Sequence, residues 1–191
     1  GYNGYGQLGL GDTTDRTSFT QITHAAFFTD IVTGDGRYPS CAAISNQHEI
    51  YLWGYNGYGQ CGTGNTVNQL SPFKPAGTFQ GSVSKARFGG GVSTEGCVLQ
   101  ADNQLWAAGY NQNGNLGLGH ATDTNTFQKV LGVSGTIEDW ALYGNGTSGW
   151  GISVLYNDGR VDACGDNNSY GECGTQPGNL HDVLSLTNVI F

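Results

Sequence analysis

A glycine-rich motif recurs four times in this chain of 191 residues, at an almost constant spacing. Three copies read GYNGYGQLGLG, GYNGYGQCGTG and GYNQNGNLGLG, and they begin at Gly1, Gly54 and Gly109. A fourth, more divergent copy reads NSYGECG from Asn168. Corresponding glycines are 53, 55 and 57 residues apart. Periods of this length are typical of chains built from stacked supersecondary units.

A pair of short apolar runs precedes each later copy of the motif. In the first repeat, one run ends at Ile44, a polar turn follows, and a second run covers residues 50–53. The same order recurs twice, once with Asp158-Gly159 in the turn. Two strand-like runs around a polar turn predict a β-hairpin. A convincing apolar stripe with a period of 3.6 residues is not found, so we expect an all-β chain.

The motif itself predicts a tight series of turns. Glycine costs about 1 kcal/mol at each site inside a helix, whereas glycine and asparagine accept positive φ in turns. We expect the motif asparagines to bond backbone groups, and its Leu8, Cys61, Leu116 and Cys173 to be buried between sheets. We assign a structural role to Gly6, Gly9, Asn56, Gly59, Gly62, Asn111, Gly114, Gly117, Gly171 and Gly174.

One repeat is long enough for about four short strands, which make one small sheet. A sheet of this size cannot cover its own faces, so neighbouring sheets must stack, as the blades of a β-propeller do. We therefore predict a single partial propeller with blades of about four antiparallel strands. The predicted repeats are 1–53, 54–108, 109–164 and an incomplete 165–191.

Residues 53–62 (WGYNGYGQCG) and 6–12 (GQLGLGD) resemble the repeat of the regulator of chromosome condensation family. The segment 43–54 resembles the closing hairpin of that repeat, and the resemblance extends over nearly the whole chain. It implies a propeller, commonly of seven blades. About three and a half repeats form an incomplete ring, so we expect the rest of a longer chain, or a second copy, to close it.

Two departures from the family pattern bear on function. The histidine that usually precedes the first hairpin strand is absent, with Ser40 nearest to its place. The tryptophan before the motif is present as Trp53, but Ala108 and Cys164 stand there in the next two copies. These departures leave the predicted fold intact and weaken any transfer of family-specific function.

The charge excludes several classes of partner. Seven basic and 15 acidic residues give a net charge of −8, which opposes binding to nucleic acid or to anionic membranes. The sequence has no apolar run of the roughly 18 residues that a membrane helix needs. Five cysteines without C-x-x-C spacing predict small buried residues rather than a zinc site. We expect neither a metal nor a cofactor.

Catalytic motifs are also missing from the sequence. It contains no G-x-S-x-G nucleophile motif, no phosphate-binding loop and no paired carboxylates with a defined spacing. We therefore expect no enzymatic activity.

The segments before the first hairpin strands vary between repeats, and corresponding loops of successive blades project on one face. Aromatic residues and arginine among glycine, serine and asparagine are typical of adaptable binding surfaces. The alternative is that these rings pack between blades. The candidate binding residues are Arg37, Tyr38, Tyr143, Asn145 and Trp150.

We thus predict a recognition module that binds a protein or a cell-surface glycan. The composition, rich in glycine and poor in lysine with no methionine, favours an extracellular or virion protein, such as a phage tail fibre or adhesin that recognises a host. The family resemblance implies an alternative, a guanine-nucleotide exchange factor or regulatory scaffold acting on a small GTPase. The resemblance also implies a light receptor. The repeated Gly-Trp-Arg-His-Thr motif of that receptor is absent from this sequence.

Overall fold

The computed structural model describes residues 1–34, 37–75, 81–90, 95–144, 149–166, 173–174 and 183–189. Over these residues the chain forms three antiparallel sheets, each of four strands in sequential order, and no helix. Blade 1 comprises β1 (Phe28–Thr33), β2 (Ser40–Ser45), β3 (Ile50–Gly54) and β4 (Gln69–Phe73). Blade 2 comprises β5 (Val83–Gly90), β6 (Glu95–Ala101), β7 (Gln104–Gly109) and β8 (Thr124–Lys129). Blade 3 comprises β9 (Ile137–Tyr143), β10 (Gly151–Tyr156), β11 (Val161–Gly165) and β12 (Val183–Asn188). The predicted all-β fold with four-stranded blades is confirmed.

The three blades are copies of one another down to their irregularities. The first strand of each blade carries one extra residue against its partner, at Thr29, Ser84 and Glu138. The pairing of the third with the fourth strand also shifts register in every blade, just before Gly54, Gly109 and Gly165. Bulges bend a strand and increase its twist. Repetition of both bulges gives each blade the same twist, so successive blades stack in the same way.

The hydrophobic core lies between the blades. The first strands β1, β5 and β9 approach one another, so the blades converge there and their fourth strands lie outermost. Ile44 and Leu52 of blade 1 pack with Leu99 and Phe127 of blade 2, and all four side chains are buried. All six residues of β2 are buried. Both faces of its sheet are covered, so the strand has a continuous apolar run rather than an alternating pattern.

The glycine motif connects adjacent blades. It follows the third strand of one blade and packs on the fourth strand of the next, where the Gly64 N–H donates to the Asn125 carbonyl at 2.8 Å. The Gly119 N–H donates to the Leu184 carbonyl at 2.7 Å in the same way. Repeats that begin at the motif therefore start where the third strand of a blade ends. One blade draws its strands from two consecutive repeats, and each connection runs across a blade interface.

The cysteines are buried thiols, which confirms their predicted role as small core residues. Burial raises the pKa of Cys41 to about 12, and burial also raises the pKa of Cys97 and Cys164. Of the motif residues expected between the sheets, Cys61, Leu116 and Cys173 are buried, whereas Leu8 is half-buried. Within the described part of the chain, no helix has the length and apolarity to cross a membrane.

Candidate functional site

Each motif turn is held by its buried asparagine. The Asn56 side-chain oxygen accepts a hydrogen bond from the Cys61 N–H at 2.8 Å, and its amide donates to the carbonyls of Asn65 and Val67, both at 3.0 Å. Asn3 and Asn111 make the corresponding bonds in their own copies. All three asparagines are fully buried. The turn is therefore rigid and presents the remaining motif side chains in fixed directions.

The close approach of the turn to the next blade requires glycine. Gly62 has a φ of 64°, and a Cβ at this position would overlap the Phe127 ring. Gly59 has a φ of 82°, and a Cβ there would overlap Asn125. Residues other than glycine rarely adopt such backbone conformations. These two positions fix the distance between the motif and the outer strand on which it packs.

The motif turns carry a continuous row of aromatic rings, which we call the tyrosine strip. Consecutive ring centroids are 4.9–6.2 Å apart, and most neighbouring rings meet edge to face, at angles of 73–82°. Tyr38, from the loop between β1 and β2, is the exception, because it stacks on Tyr55 at 28°. The strip consists of Tyr2, Tyr5, Tyr38, Tyr55, Tyr58 and Tyr110.

Glycines let two of these rings lie flat on the turn. Tyr2 covers Gly4 and Tyr55 covers Gly57, and in both places a Cβ would overlap the phenol. The third copy has Gln112 at the equivalent position, and there the first tyrosine of the motif, Tyr110, is 9% exposed. By contrast, 59% of Tyr2 is exposed. The strip therefore ranges from a solvent-facing end to a buried end.

Charged groups lie next to the strip. The Arg37 guanidinium carbon is 5.7 Å from the centroid of the Tyr38 ring. Beneath the strip lies Glu95, a buried residue of β6 whose carboxylate is 2.9 Å from the Ser40 hydroxyl. The Ser40 oxygen also lies 2.7 Å from the Tyr55 carbonyl, so the single hydroxyl proton has these two acceptors within reach. A buried carboxylate at the interface of blades 1 and 2 is therefore linked to the backbone of the strip.

The phenols of Tyr55 and Tyr58 are protonated at neutral pH. Burial raises the pKa of Tyr55, and the neighbouring tyrosines and Glu95 raise it further. Burial and then Asp123 raise the pKa of Tyr58. Since an unperturbed tyrosine already titrates near pH 10, these phenols carry no charge under physiological conditions. The strip thus offers neutral ring faces and hydroxyl groups to a ligand.

The structure separates the residues that the sequence nominated for binding. Tyr38 lies in the strip, and Arg37 lies beside it. Tyr143 lies in blade 3, and its hydroxyl is 3.0 Å from the Cys164 carbonyl, so the phenol is turned into that blade. Asn145 lies outside the described residues, as does the motif residue Gly171.

Trp150 requires a correction, because it is fully buried. Its ring fills a slot between blades 2 and 3, where a Cβ at Gly89 or Gly96 would lie within 2.5–2.6 Å of the ring atoms. The alternative interpretation, a ring packed between blades, describes this residue. We therefore exclude Trp150 from the binding surface.

Sequence reasoning missed most of the strip. It nominated Tyr38 but none of the motif tyrosines at residues 2, 5, 55, 58 and 110. The signal was present, since tyrosine stands at the second and fifth places of both complete early copies. Corresponding places in successive blades lie on one face, so tyrosines that recur with the repeat form a row.

One other feature is a weaker candidate. A mostly apolar cleft of about 360 Å³ lies beside the first motif copy and is lined by Leu8, Leu10, Phe19 and Ile22, among others. Its Arg16 is paired with Asp12 at 2.7 Å. Among the described residues, no group of three or more histidines, cysteines or carboxylates is arranged to hold a metal ion.

Comparison with known proteins identifies related sequences. Residues 47–94 match the model of the Regulator of chromosome condensation (RCC1) repeat. The chain is 30% identical over 161 residues to the ultraviolet-B receptor UVR8 of Arabidopsis thaliana, which covers 76% of this chain and 35% of that protein. It is also 30% identical over 152 residues to the secretion-regulating guanine nucleotide exchange factor of Bos taurus, with 76% and 30% covered. The chain thus spans about a third of the length of these relatives.

Solved structures share the fold. Human WBSCR16 superimposes with a TM-score of 0.74 at 21% identity, over 100% of this chain and 47% of that one. Prp20p of Saccharomyces cerevisiae superimposes with a TM-score of 0.64 at 14% identity, over 83% and 38% of the two chains. At these identities the likeness concerns the fold alone.

Proposed function

This chain belongs to the regulator of chromosome condensation repeat family, and from that premise we propose that it is a non-enzymatic recognition module whose tyrosine strip binds a protein partner. The observation that carries the proposal is the strip itself, a row of rings that runs from the first motif turn to the third. Tyrosine gives a large, rigid contact area at a low cost in conformational entropy, and it is enriched at interface hot spots.

The architecture supports this role. The turns beneath the strip are fixed by buried asparagines and by glycines packed against the next blade. A partner therefore meets a preorganised surface, and preorganisation reduces the ordering cost of binding. Arg37 lies beside the centre of the strip, with its guanidinium carbon 5.7 Å from the centroid of the Tyr38 ring.

The relatives favour a protein over a glycan as partner. The structure of Prp20p is described together with its binding to Gsp1p and histones, and a second structure shows yeast RCC1 bound to Kap60. None of the proteins named above is a virion protein, an adhesin or a glycan-binding protein by description. The virion and glycan expectations therefore have no support beyond the sequence.

The test is partner capture with strip variants. The purified protein and its Tyr38→Ala and Tyr58→Ala variants are cross-linked in extracts of the source cells, and the captured proteins are identified by mass spectrometry. We expect a partner that the parent captures and both variants lose, with unchanged melting temperatures. Tyr51→Ala is the matched control, because Tyr51 lies in the separate aromatic cluster of His24 and Phe28. Equal capture by parent and variants would refute the proposal.

Nucleotide exchange on a small GTPase is the second candidate function. It is favoured by the 30% identity to the secretion-regulating guanine nucleotide exchange factor. The assay follows the release of a fluorescent guanine nucleotide from small GTPases of the source organism. Acceleration of release by the parent protein supports exchange, and a rate equal to the intrinsic rate for every GTPase tested counts against it.

We also propose that further blades complete the ring to which these three blades belong. All of this chain superimposes on 47% of the chain of human WBSCR16. The additional blades belong either to the same polypeptide or to a second copy. Light scattering of the purified protein distinguishes a monomer from a dimer and thereby decides between the two sources.

A further inference from the structure

We propose that the tyrosine strip takes arginine side chains from an extended, basic segment of its protein partner. This inference rests on the proposed function and adds the chemistry of the ligand. Three observations carry it, namely the geometry of the rings, the cation already bound to one of them and the charge of the surroundings.

The rings present faces that attract cations. An aromatic face carries the negative part of the ring quadrupole, and a guanidinium within about 6 Å of the centroid is attracted to it. Arg37 already occupies such a position over Tyr38, at 5.7 Å. Elsewhere in the chain, Arg160 lies over Tyr156 at 4.2 Å. The strip thus displays, with the protein's own arginine, the contact that we assign to the ligand.

The surroundings are electrostatically complementary to a basic ligand. The protein carries a net charge of −8, and Asp123 lies near enough to the strip to raise the pKa of Tyr58. Arg37, beside Tyr38, is a cation within this acidic surrounding. An acidic segment would meet this negative field without a compensating gain on the neutral phenols. A basic segment is steered toward the protein and then finds ring faces.

The spacing of the rings fits an extended chain. Alternate residues of an extended segment lie about 6.6 Å apart and point to the same side. Most steps between ring centroids in the strip are 5.3–6.2 Å. A segment with arginine at every second position therefore lies along the strip with successive guanidinium groups over successive parts of the row.

The experiment uses three fluorescent peptides and charge-neutral variants of the purified protein. The peptides alternate serine with arginine, with lysine or with glutamate, and binding is measured by fluorescence anisotropy at low and high salt. We expect the arginine peptide to bind most tightly and the glutamate peptide not to bind. Tyr5→Leu and Tyr58→Leu each weaken binding of the arginine peptide about two- to five-fold, which corresponds to the loss of one exposed cation–π contact. Tyr5→Phe and Tyr58→Phe retain most of the affinity, because they keep the ring.

The controls separate ring contacts from general attraction to an acidic protein. None of the substitutions alters the net charge, so purely electrostatic binding is equal in parent and variants and disappears at high salt. Tyr51→Leu removes a tyrosine outside the strip and is expected to bind as the parent does. Melting curves verify that each variant is folded.

Two results overturn the inference. One is equal binding of the arginine peptide by the parent, Tyr5→Leu and Tyr58→Leu. The other is equal affinity for the arginine and lysine peptides together with complete loss at high salt. If the strip variants lose the captured protein partner but keep the arginine peptide, the recognition role stands and the assignment of the ligand fails. If the strip variants keep both the captured partner and the arginine peptide, the recognition role and the assignment of the ligand both fail.

Discussion

Replacement of Asn56 by alanine tests the idea that one buried amide holds each motif turn. The substitution leaves the buried Cys61 N–H without the acceptor that now lies 2.8 Å away. A buried donor that loses its acceptor costs about 1–3 kcal/mol, and the two backbone bonds that the amide donates contribute about 1 kcal/mol each. Their acceptors, the carbonyls of Asn65 and Val67, belong to exposed residues, so water replaces part of this contribution. We expect a loss of about 2–4 kcal/mol in the free energy of unfolding.

Urea denaturation monitored by tryptophan fluorescence measures this loss, and the melting temperature should fall by roughly 5–15 °C for a chain of this size. Asn46→Ala, in an exposed hairpin turn, is the control and should stay within about 0.5 kcal/mol of the parent. Asn56→Asp is a sharper test. It keeps an acceptor for the Cys61 N–H, but it places a carboxylate, in place of the amide donor, against the carbonyls of Asn65 and Val67. Asn56→Asp should therefore be less stable than Asn56→Ala at neutral pH and recover toward pH 4. If Asn56→Ala unfolds within 0.5 kcal/mol of the parent, the turn is held by something else.

Three further predictions concern the packing between blades. Gly62→Ala should lower the free energy of unfolding by about 2 kcal/mol or more, because the added methyl group meets the Phe127 ring. Gly64→Ala, at φ 80° with open space around it, should lower it by about 1 kcal/mol. Urea titrations compare the two variants. Trp150→Ala should cost about 3–5 kcal/mol in the same assay and, once stability is restored by lower temperature, leave partner binding unchanged. Stability should decline above about pH 9, because burial raises the pKa of Cys61 and the other core thiols, so that the unfolded chain releases protons which the folded chain retains. Each such thiol contributes a slope of up to about 1.4 kcal/mol per pH unit, and a flat profile between pH 8 and 10 would contradict this account.

The fold could be predicted because the repeat indicates both the local elements, turns and hairpins, and the stacking of the sheets that they form. Glycine and asparagine at fixed places in the motif predict turns, and the paired apolar runs predict hairpins. Four-stranded units that cannot cover their own faces then require stacked blades. The offset between repeat and blade could not be derived in this way, because it depends on which neighbour accepts the backbone bonds of the motif. Gly64 and Gly119 bond to a strand of the following blade, and no local preference encodes that choice.

The candidate site was less accessible to sequence reasoning for a physical reason. Tyr38 and Trp150 both stand in segments of variable sequence before a hairpin strand, yet one lies in the strip and the other fills a slot between glycines of the adjacent blade. The fate of Trp150 depends on Gly89 and Gly96, which are more than fifty residues away along the chain. Aromatic composition alone cannot separate an exposed ring from an interblade ring, because both serve to cover apolar surface.

The three complete motif copies share their buried asparagine and differ at two positions beside the strip. All three complete copies retain the asparagine and the packed glycines, but the third has Gln112 and Asn113 where the others have glycine and tyrosine. Asn113 holds the same backbone position as Tyr58, since the N–H of each bonds to the side chain two residues later, at 3.2 and 3.1 Å. Asn113→Tyr should therefore add a ring next to Tyr110 and extend the strip by one step. We expect the arginine peptide to bind about two- to five-fold more tightly in the anisotropy assay. If Asn113→Tyr binds the peptide with the affinity of the parent, while the separate variant Tyr58→Leu binds it more weakly, the ligand contact ends before the third turn.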